Sequence, residues 1–485
     1  MTTSKAEEIM EQFLEMEVKN DLFERLQIKQ IKIWHYIRYE IYNMMSEILG
    51  NIFNPNRSKK LLNEKNTLYD WIDENVLKNQ LLISHKDVLI INHPRRAKQG
   101  DYYKCLYTDE WLKNFARSYY VFEMKYDGKI HYKPVKTENL RYIDKDKFIK
   151  IFNKKYCFDS YRSDCEKCAN ELIQILEQEF KVNLPYRYKK DIKQLVYNMS
   201  VNREIVRDYY GYILERIRPK VIIYVIGYGF DQMILAELGK EMGIPTIELE
   251  HGHMSRGHLA YNFRNHSMLK AFPDYLFVTG QHDKDTVRAP LDDDHICVVG
   301  SPELDAKIDY YKKNLSGKHK KIIITFISSG EAEIAEAAME LCGKLDGGKY
   351  HVYLKLHPSE YTNWRRKYRN IEKTGLHVVD DSKHDIHYYL AVSDFVIGIT
   401  STALFEATRF NCNILIFKGG LSFKSQTLIE TGNGYCIDSM DEAVAKIESI
   451  KTKRKPSEYY YCSNSCKRMY KAIDDIISKS QLQKM

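Results

Sequence analysis

The sequence predicts an α/β chain of two doubly wound parallel-sheet domains, with a helical extension before them and a helical tail after. Three observations carry that reading. Apolar, β-branched runs of strand length recur between amphipathic stretches of helical period, the mark of parallel strands covered on both faces. The series occurs twice, on either side of the basic stretch "KKNLSGKHKK" at 312–321. A chain of 485 residues also exceeds what one hydrophobic core ordinarily supports.

Residues 1–80 read as helices: "EEIMEQFLEMEV" and "IKIWHYIRYEIYNMMSEIL" repeat apolar side chains every three or four positions, and "NPNRSKK" breaks the region. "DVLIINH" at 87–93 is the first strand, with "SYYVFEM" and "IHYKPV" as further candidates. Two helical stretches then lead to strand "KVIIYVIG", helix "DQMILAELGKEMG" and strands "PTIELEHG", "DYLFVTG" and "ICVVGSPE". These define an N-terminal α/β domain over 81–312. A C-terminal α/β domain over 313–455 runs through strands "KIIITFIS", "YHVYLKLHP", "LHVVDD", "DFVIGIT" and "CNILIFKG" with helices between them. The tail 456–485 reads as a helix that packs back on the first domain. Ligands of such sheets bind at the carboxyl ends of the strands, and the two domains are expected to face each other across a cleft.

Composition narrows the function classes. Charged residues make up 29% and hydrophobic ones 44%, a soluble globular balance, and no stretch approaches the roughly 20 apolar residues that span a bilayer. The start, "MTTSKAEEIMEQFLEMEVKND", has no cationic lead into an apolar block, so no signal peptide is expected. The net charge of +8 is spread widely; its runs at 312–321 and 451–456 read as solvated linkers, or as contacts to an anionic membrane or substrate. Neither run interleaves aromatics, so nucleic acid is not an expected partner. Ten scattered cysteines indicate free thiols in a reducing compartment. "CEKC" (165–168) and "CSNSC" (462–466) offer four thiolates, but the first pair opens a helix and nothing places the second beside it. The acid triplet at 292–294 precedes a strand rather than following one and reads as a surface turn, so no metal is expected.

Three strand ends of the second domain carry phosphate-friendly groups. Ser328, Ser329 and Gly330 precede a helix whose first turn offers unpaired amides, although serine capping with Glu331 nearby explains that loop equally well. His357 is held at a sheet edge by Pro358, which stops the strand; the imidazole suits donation to a phosphate oxygen or catalysis as an acid on a leaving phosphate, or is structural. Thr400, Ser401 and Thr402 cluster at a helix start, and Glu406, about one turn on, has the reach to meet ribose hydroxyls. Together the set indicates a nucleotide.

The order "…LKLHP…SDFVIGITSTALFEATRF" resembles the donor half of GT-B glycosyltransferases. Its His-Pro and Ser-Thr pairs are similar to those of bacterial CMP-sugar transferases, including sialyl- and polysialyltransferases, and of CDP-glycerol and CDP-ribitol polyolphosphotransferases of teichoic-acid and capsule assembly. The resemblance covers roughly residues 220–450 and leaves the first 80 outside. It implies a GT-B fold in which His357, Ser401 and Thr402 hold the donor phosphate and the first domain binds the acceptor.

"EHG" at 250–252 stands where the CMP-sugar enzymes resemble two acids before a glycine and the polyol enzymes a His-Gly. The resemblance makes His251 the base for the acceptor hydroxyl, its ordinary pKa near 6.5 suiting that task, with Glu250 as the alternative. Strand alternation sends the two to opposite faces unless the strand has ended. Gly252 permits close approach or a positive φ, and Arg256 suits an anionic donor or acceptor. His253 and His258 read as loop histidines. Gly227 and Gly229 open the helix of "GYGFD" and line the acceptor side; Arg95, Arg96 and Lys98 suit an acidic acceptor or lipid phosphate, or a merely solvated loop. The "VVGSPELD" segment resembles a Gly-x-Pro of the same families, or is a tight turn.

The expectation is therefore a metal-independent glycosyltransferase without a bound cofactor. It would move a sugar such as sialic acid or Kdo from a CMP donor to an oligosaccharide or lipid-linked acceptor of a bacterial capsule or surface glycan. The setting is cytoplasmic, at the inner face of the cytoplasmic membrane. Polyol-phosphate transfer from a CDP-polyol, UDP-sugar epimerisation and a non-catalytic scaffold of a glycan assembly complex are the competing readings.

Overall fold

Two parallel sheets organise the chain. The computed structural model describes residues 5–50, 68–126, 128, 130–144, 159–252, 254, 258–264, 269–315, 320–369, 371, 374–419 and 425–482. It divides into one unit of Met1–Val278, Thr286–Val298 and Lys467–Met485 and another of Thr279–Asp285 and Val299–Cys466.

The sheet of the first unit has seven strands: β1 (Val88–Asn92), β2 (Tyr119–Met124), β3 (Leu140–Ile143), β4 (Val221–Val225), β5 (Thr246–Leu249), β6 (Tyr275–Val278) and β7 (Ile296–Val298), in the order β7-β6-β5-β4-β1-β2-β3. Every pairing is parallel. β1, β4 and β5 are buried at every position, which is why their sequences run apolar without alternating. The order reverses between β1 and β4, where Asn92–His93 and Ile226–Tyr228 leave the sheet and where doubly wound sheets take ligands.

The sheet of the second unit has six parallel strands: β8 (Ile322–Ile327), β9 (Tyr350–Lys355), β10 (His377–Val379), β11 (Phe395–Gly398), β12 (Asn413–Phe417) and β13 (Tyr435–Ile437), ordered β10-β9-β8-β11-β12-β13. Its reversal lies between β8 and β11. The α/β class of two doubly wound sheets with helices at both ends is the one the sequence predicts.

The N-terminal helices α1 (Lys5–Lys19) and α2 (Trp34–Ile48) are present as expected, and their Phe13, Leu14, Trp34 and Ile37 join the hydrophobic core of the first unit beside Leu89 and Tyr224. The long helices α3 (Asp159–Phe180) and α4 (Tyr186–Ile217) complete that core, and Cys165 and Cys168 are among its buried members. "IHYKPV" forms only isolated bridges at Ile130 and Val135, because Pro134 has no N–H to extend a ladder; the strand is β3, which begins further on at Leu140. The units part after Val298 rather than at 312: Gly300, at φ 84°, turns the chain into α6 (Pro302–Asn314), capped by the Ser301 side chain; α5 (Phe230–Met242) precedes it in the first unit. The C-terminal helix α7 (Ser465–Leu482) enters the first unit from Lys467 on, where Asp474 meets Arg117 at 2.6 Å. No helix among the described residues is long and apolar enough to cross a membrane.

Candidate functional site

In the second unit the ends of β9, β8 and β11 lie side by side. His357 follows β9 and begins a short turn at Pro358: its Nδ1 accepts the Ser359 N–H at 3.2 Å, while its own N–H reaches Glu360 Oε2 at 3.1 Å. A backbone N–H can only donate, so Nδ1 is unprotonated and the neutral ring carries its proton on Nε2, as a donor. Sequence reasoning missed Glu360. This buried carboxylate also accepts the Ser328 hydroxyl at 2.6 Å, the Tyr368 hydroxyl and Lys367 Nζ at 3.4 Å, locking the loops after β8 and β9 together. A capping side chain followed three positions later by glutamate is the signal that finds it.

Ser328 is thus buried and committed to Glu360. Ser329 donates to the Thr400 carbonyl, tying the end of β8 to the end of β11. Gly330 sits at φ 104°, a conformation that excludes most side chains, and its carbonyl accepts from Lys367. Ser401 caps the short helix Thr402–Glu406, accepting the Ala403 N–H at 3.2 Å, and Thr402 is exposed at its first position. Capping and ligand donation are compatible, since a hydroxyl accepts one bond and donates another. Glu406, expected to meet ribose hydroxyls, has its carboxylate 3.0 Å from His387 Nε2. Burial alone would lower the imidazole's pKa, but Glu406 and Asp385 raise it to about 10, so His387 is a cation and Glu406 is half of an ion pair. Asp385 in turn meets Lys307 at 2.6 Å.

The site residues of the first unit gather at the carboxyl ends of β1, β4 and β5. β5 ends at Leu249, so Glu250 and His251 both lie past the strand; the Glu250 N–H reaches the Phe277 carbonyl at 3.0 Å. His251 Nε2 is 3.3 Å from the Tyr228 hydroxyl, and its buried Nδ1 has no hydrogen-bond partner among the described residues. Burial, with His258 and His93 adding to it, pushes the imidazole down to about 3, far below the ordinary value that suggested a base. Ile226 adopts φ 69°, rare for a β-branched residue, where the chain leaves β4. At Gly227 a Cβ would fall 2.0 Å from Glu248 Oε2. Glu248 itself is buried, takes the Tyr261 hydroxyl at 2.5 Å and is raised to about 7 by burial. Gly229 precedes α5 as its N-cap.

Other expected members separate. Arg96 is sequestered: its guanidinium is buried against Glu123 (2.7 Å) and Asp109 (3.1 Å), whereas Arg95 and Lys98 are exposed. Gly252 does not have a positive φ, and among the described residues no atom lies within 4 Å of where a Cβ would stand, so nothing around it demands glycine. Arg256 and His253 lie outside the described residues. The acid triplet 292–294 is an exposed turn entering β7. Sequence reasoning passed over Tyr228, Glu248 and His93. For His93 the signal was present, a His-Pro at a strand end like the one at 357.

No protein-family model and no curated protein matches the chain. Solved structures do resemble it. A UDP-GlcNAc 2-epimerase from Methanocaldococcus jannaschii is 9% identical, with a TM-score of 0.48 over 80% of this chain and 99% of that one. A putative UDP-N-acetylglucosamine 2-epimerase from Listeria monocytogenes is 12% identical, with a TM-score of 0.47 over 81% and 97%. The wall teichoic acid polymerase TagF, soaked with CDPG, is 11% identical, with a TM-score of 0.42 over 92% and 98%.

Proposed function

We propose that the chain is a group transferase of GT-B type that uses a cytidine-nucleotide donor, with the donor phosphate held by the second unit and the acceptor by the first. The observation that carries this reading is the placement of Ser328–Gly330, His357 and Thr400–Thr402 on three neighbouring strand ends around the sheet reversal. As the bond from the sugar to the phosphate oxygen breaks, negative charge grows on that oxygen. The His357 Nε2–H and the Ser401 hydroxyl, each held by a backbone N–H, and the exposed Thr402 hydroxyl supply donors at that point, the arrangement that lowers such barriers most. His251 takes the acceptor proton, with Glu250 as the alternative.

A CMP-sugar is the proposed donor and a bacterial surface glycan the acceptor. Polyol-phosphate transfer from a CDP-polyol is the second reading, favoured by an uncharged His251 in front of Gly252 instead of a pair of acids. Turnover assays over CMP-sugars, CDP-polyols and UDP-sugars separate these from each other and from epimerisation, which needs no acceptor. The donor site is tested by thermal shift. CMP or CDP at about 100 times its Kd should add about 2.7 kcal/mol of stability to the wild type. His357→Asn, which keeps an acceptor for the Ser359 N–H but loses the Nε2 donor, should remove most of that gain. A gain undiminished in His357→Asn removes the phosphate-binding role.

A glycan acceptor on a lipid carrier would be met at a membrane surface, and segment 68–82 fits that setting. Leu68, Trp71, Leu77, Leu81 and Leu82 are exposed, while Asp70, Asp73 and Glu74 turn to Lys133 at 3.3, 3.5 and 3.1 Å. The face left to solvent is aromatic and aliphatic, as in elements that lie in a bilayer interface. Trp71→Ser should cut co-sedimentation with phosphatidylglycerol vesicles roughly tenfold. Equal sedimentation of variant and wild type would remove the membrane contact from the proposal.

A further inference from the structure

The first unit repeats the device found at His357. β1 ends at Asn92, and His93-Pro94-Arg95 follows; the Arg95 N–H donates to His93 Nδ1 at 3.0 Å, as the Ser359 N–H donates to His357 Nδ1 at 3.2 Å. In both turns proline ends the strand and the residue after it fixes the tautomer. His93 therefore also carries its proton on Nε2. This second turn stands at the sheet reversal of its unit, between β1 and β4, where doubly wound sheets take ligands.

No carboxylate among the described residues offsets the burial of His93, to which the Arg95 charge adds. The ring of His93 meets Tyr107 edge-on at 5.6 Å. His93 and His258 stand close enough to His251 for a charge on either to disfavour a charge on it, and His251 Nε2 lies 3.3 Å from the Tyr228 hydroxyl. Its Nδ1 is buried without a hydrogen-bond partner among the described residues. Arg95 and Lys98 are exposed and make no ion pair among the described residues, in contrast to Arg96, which Glu123 and Asp109 consume. The His93 Nε2–H and the unused Nδ1 of His251, beside two uncompensated cations, form a setting that an oxyanion completes: it accepts from His93 Nε2 and from the Arg95 guanidinium.

We propose that the loop after β1 is an oxyanion subsite for the acceptor, in which His93 Nε2–H and Arg95 hold a phosphate or carboxylate of the acceptor chain beside His251. The proposal rests on the transferase reading for the word acceptor, and on this site's geometry for the anion. The variants are His93→Asn, which preserves an acceptor for the Arg95 N–H and removes the ring donor, and Arg95→Gln, at an exposed position. Binding of sn-glycerol 3-phosphate, glucuronate and neutral glucose is followed on the full chain by histidine side-chain NMR, with inorganic phosphate as the reference ion.

Glycerol 3-phosphate or glucuronate should shift His93 and His251 resonances saturably, with glucose silent, and each variant should bind about tenfold more weakly. Which of the two organic anions binds more tightly than inorganic phosphate names the acceptor's charged group. Both variants should keep the thermal shift given by CMP or CDP. Equal binding by the variants and the wild type would mean an adventitious ion only and would overturn the subsite, as would glucose binding as well as the anions. Loss of the cytidine-nucleotide shift in the wild type, with anion binding at His93 intact, would overturn the transferase reading and leave the subsite standing.

Discussion

His251→Ala should lower kcat about 10²- to 10⁴-fold, the usual worth of a positioned proton acceptor, while leaving the stabilisation by CMP or CDP unchanged. The nucleotide contacts proposed for the donor all belong to the second unit, whereas His251 stands past β5 in the first. Its depressed pKa sharpens the expectation. Burial and the neighbouring His258 and His93 hold it near 3, so the resting imidazole is neutral over the working pH range but a weak base. Substrate charge has to raise it, at about 1.4 kcal/mol per pKa unit. The acidic limb of kcat, which reports the complex, should then lie at higher pH than any limb of kcat/KM, which reports the free enzyme. The same depression makes a stability statement. The folded value lies below the unfolded one of about 6.5, so between those values the unfolded chain binds a proton that the folded chain lacks, and acidification through that window destabilises the first unit. Turnover of His251→Ala at the wild-type rate would transfer the base role to Glu250 or end it.

Much of the fold was legible because fully buried parallel strands leave an unmistakable sequence. β1, β4, β8 and β11 are largely apolar runs, and the polar groups that cap or are proposed to bind stand at their carboxyl ends. What escaped was decided by partners far away in sequence. Arg95 and Arg96 are equivalent as letters, yet Glu123 on the adjacent strand makes one of them structural. Glu248 lies in a strand buried on both faces, where alternation gives no cue, and only the closeness of Gly227 and Tyr261 marks it. Glu406 read as a ribose contact because His387, nineteen positions earlier, cannot be seen from the helix itself. The N-terminal helices read as amphipathic without a stated partner, and nothing in their sequence pairs Glu17 with Arg38.

That last pair predicts the largest stability effect. Arg38→Ala should destabilise the first unit by about 3–5 kcal/mol, the cost of leaving one member of a buried ion pair alone. Glu17 and Arg38 are each only 1% exposed. Glu17 accepts Arg38 Nε at 2.7 Å and Nη2 at 2.8 Å, and the Trp34 indole N–H at 2.8 Å. The guanidinium reaches onward to the Leu259 and Asn262 carbonyls at 2.9 and 3.0 Å and stacks 4.2 Å from the Phe263 ring. One arginine of α2 thereby fastens the segment that carries His258 and Tyr261, and Tyr261 in turn bonds Glu248 behind the candidate base. The expected signature is a lower melting transition for the first unit, faster hydrogen exchange in α2, and reduced turnover without any residue of the proposed site being altered. Glu17→Met combined with Arg38→Met should recover much of the loss, because two apolar side chains leave no charge stranded. A single Arg38→Ala variant melting within about 1 kcal/mol of the wild type would mean that the buried pair does not hold α2 to this loop.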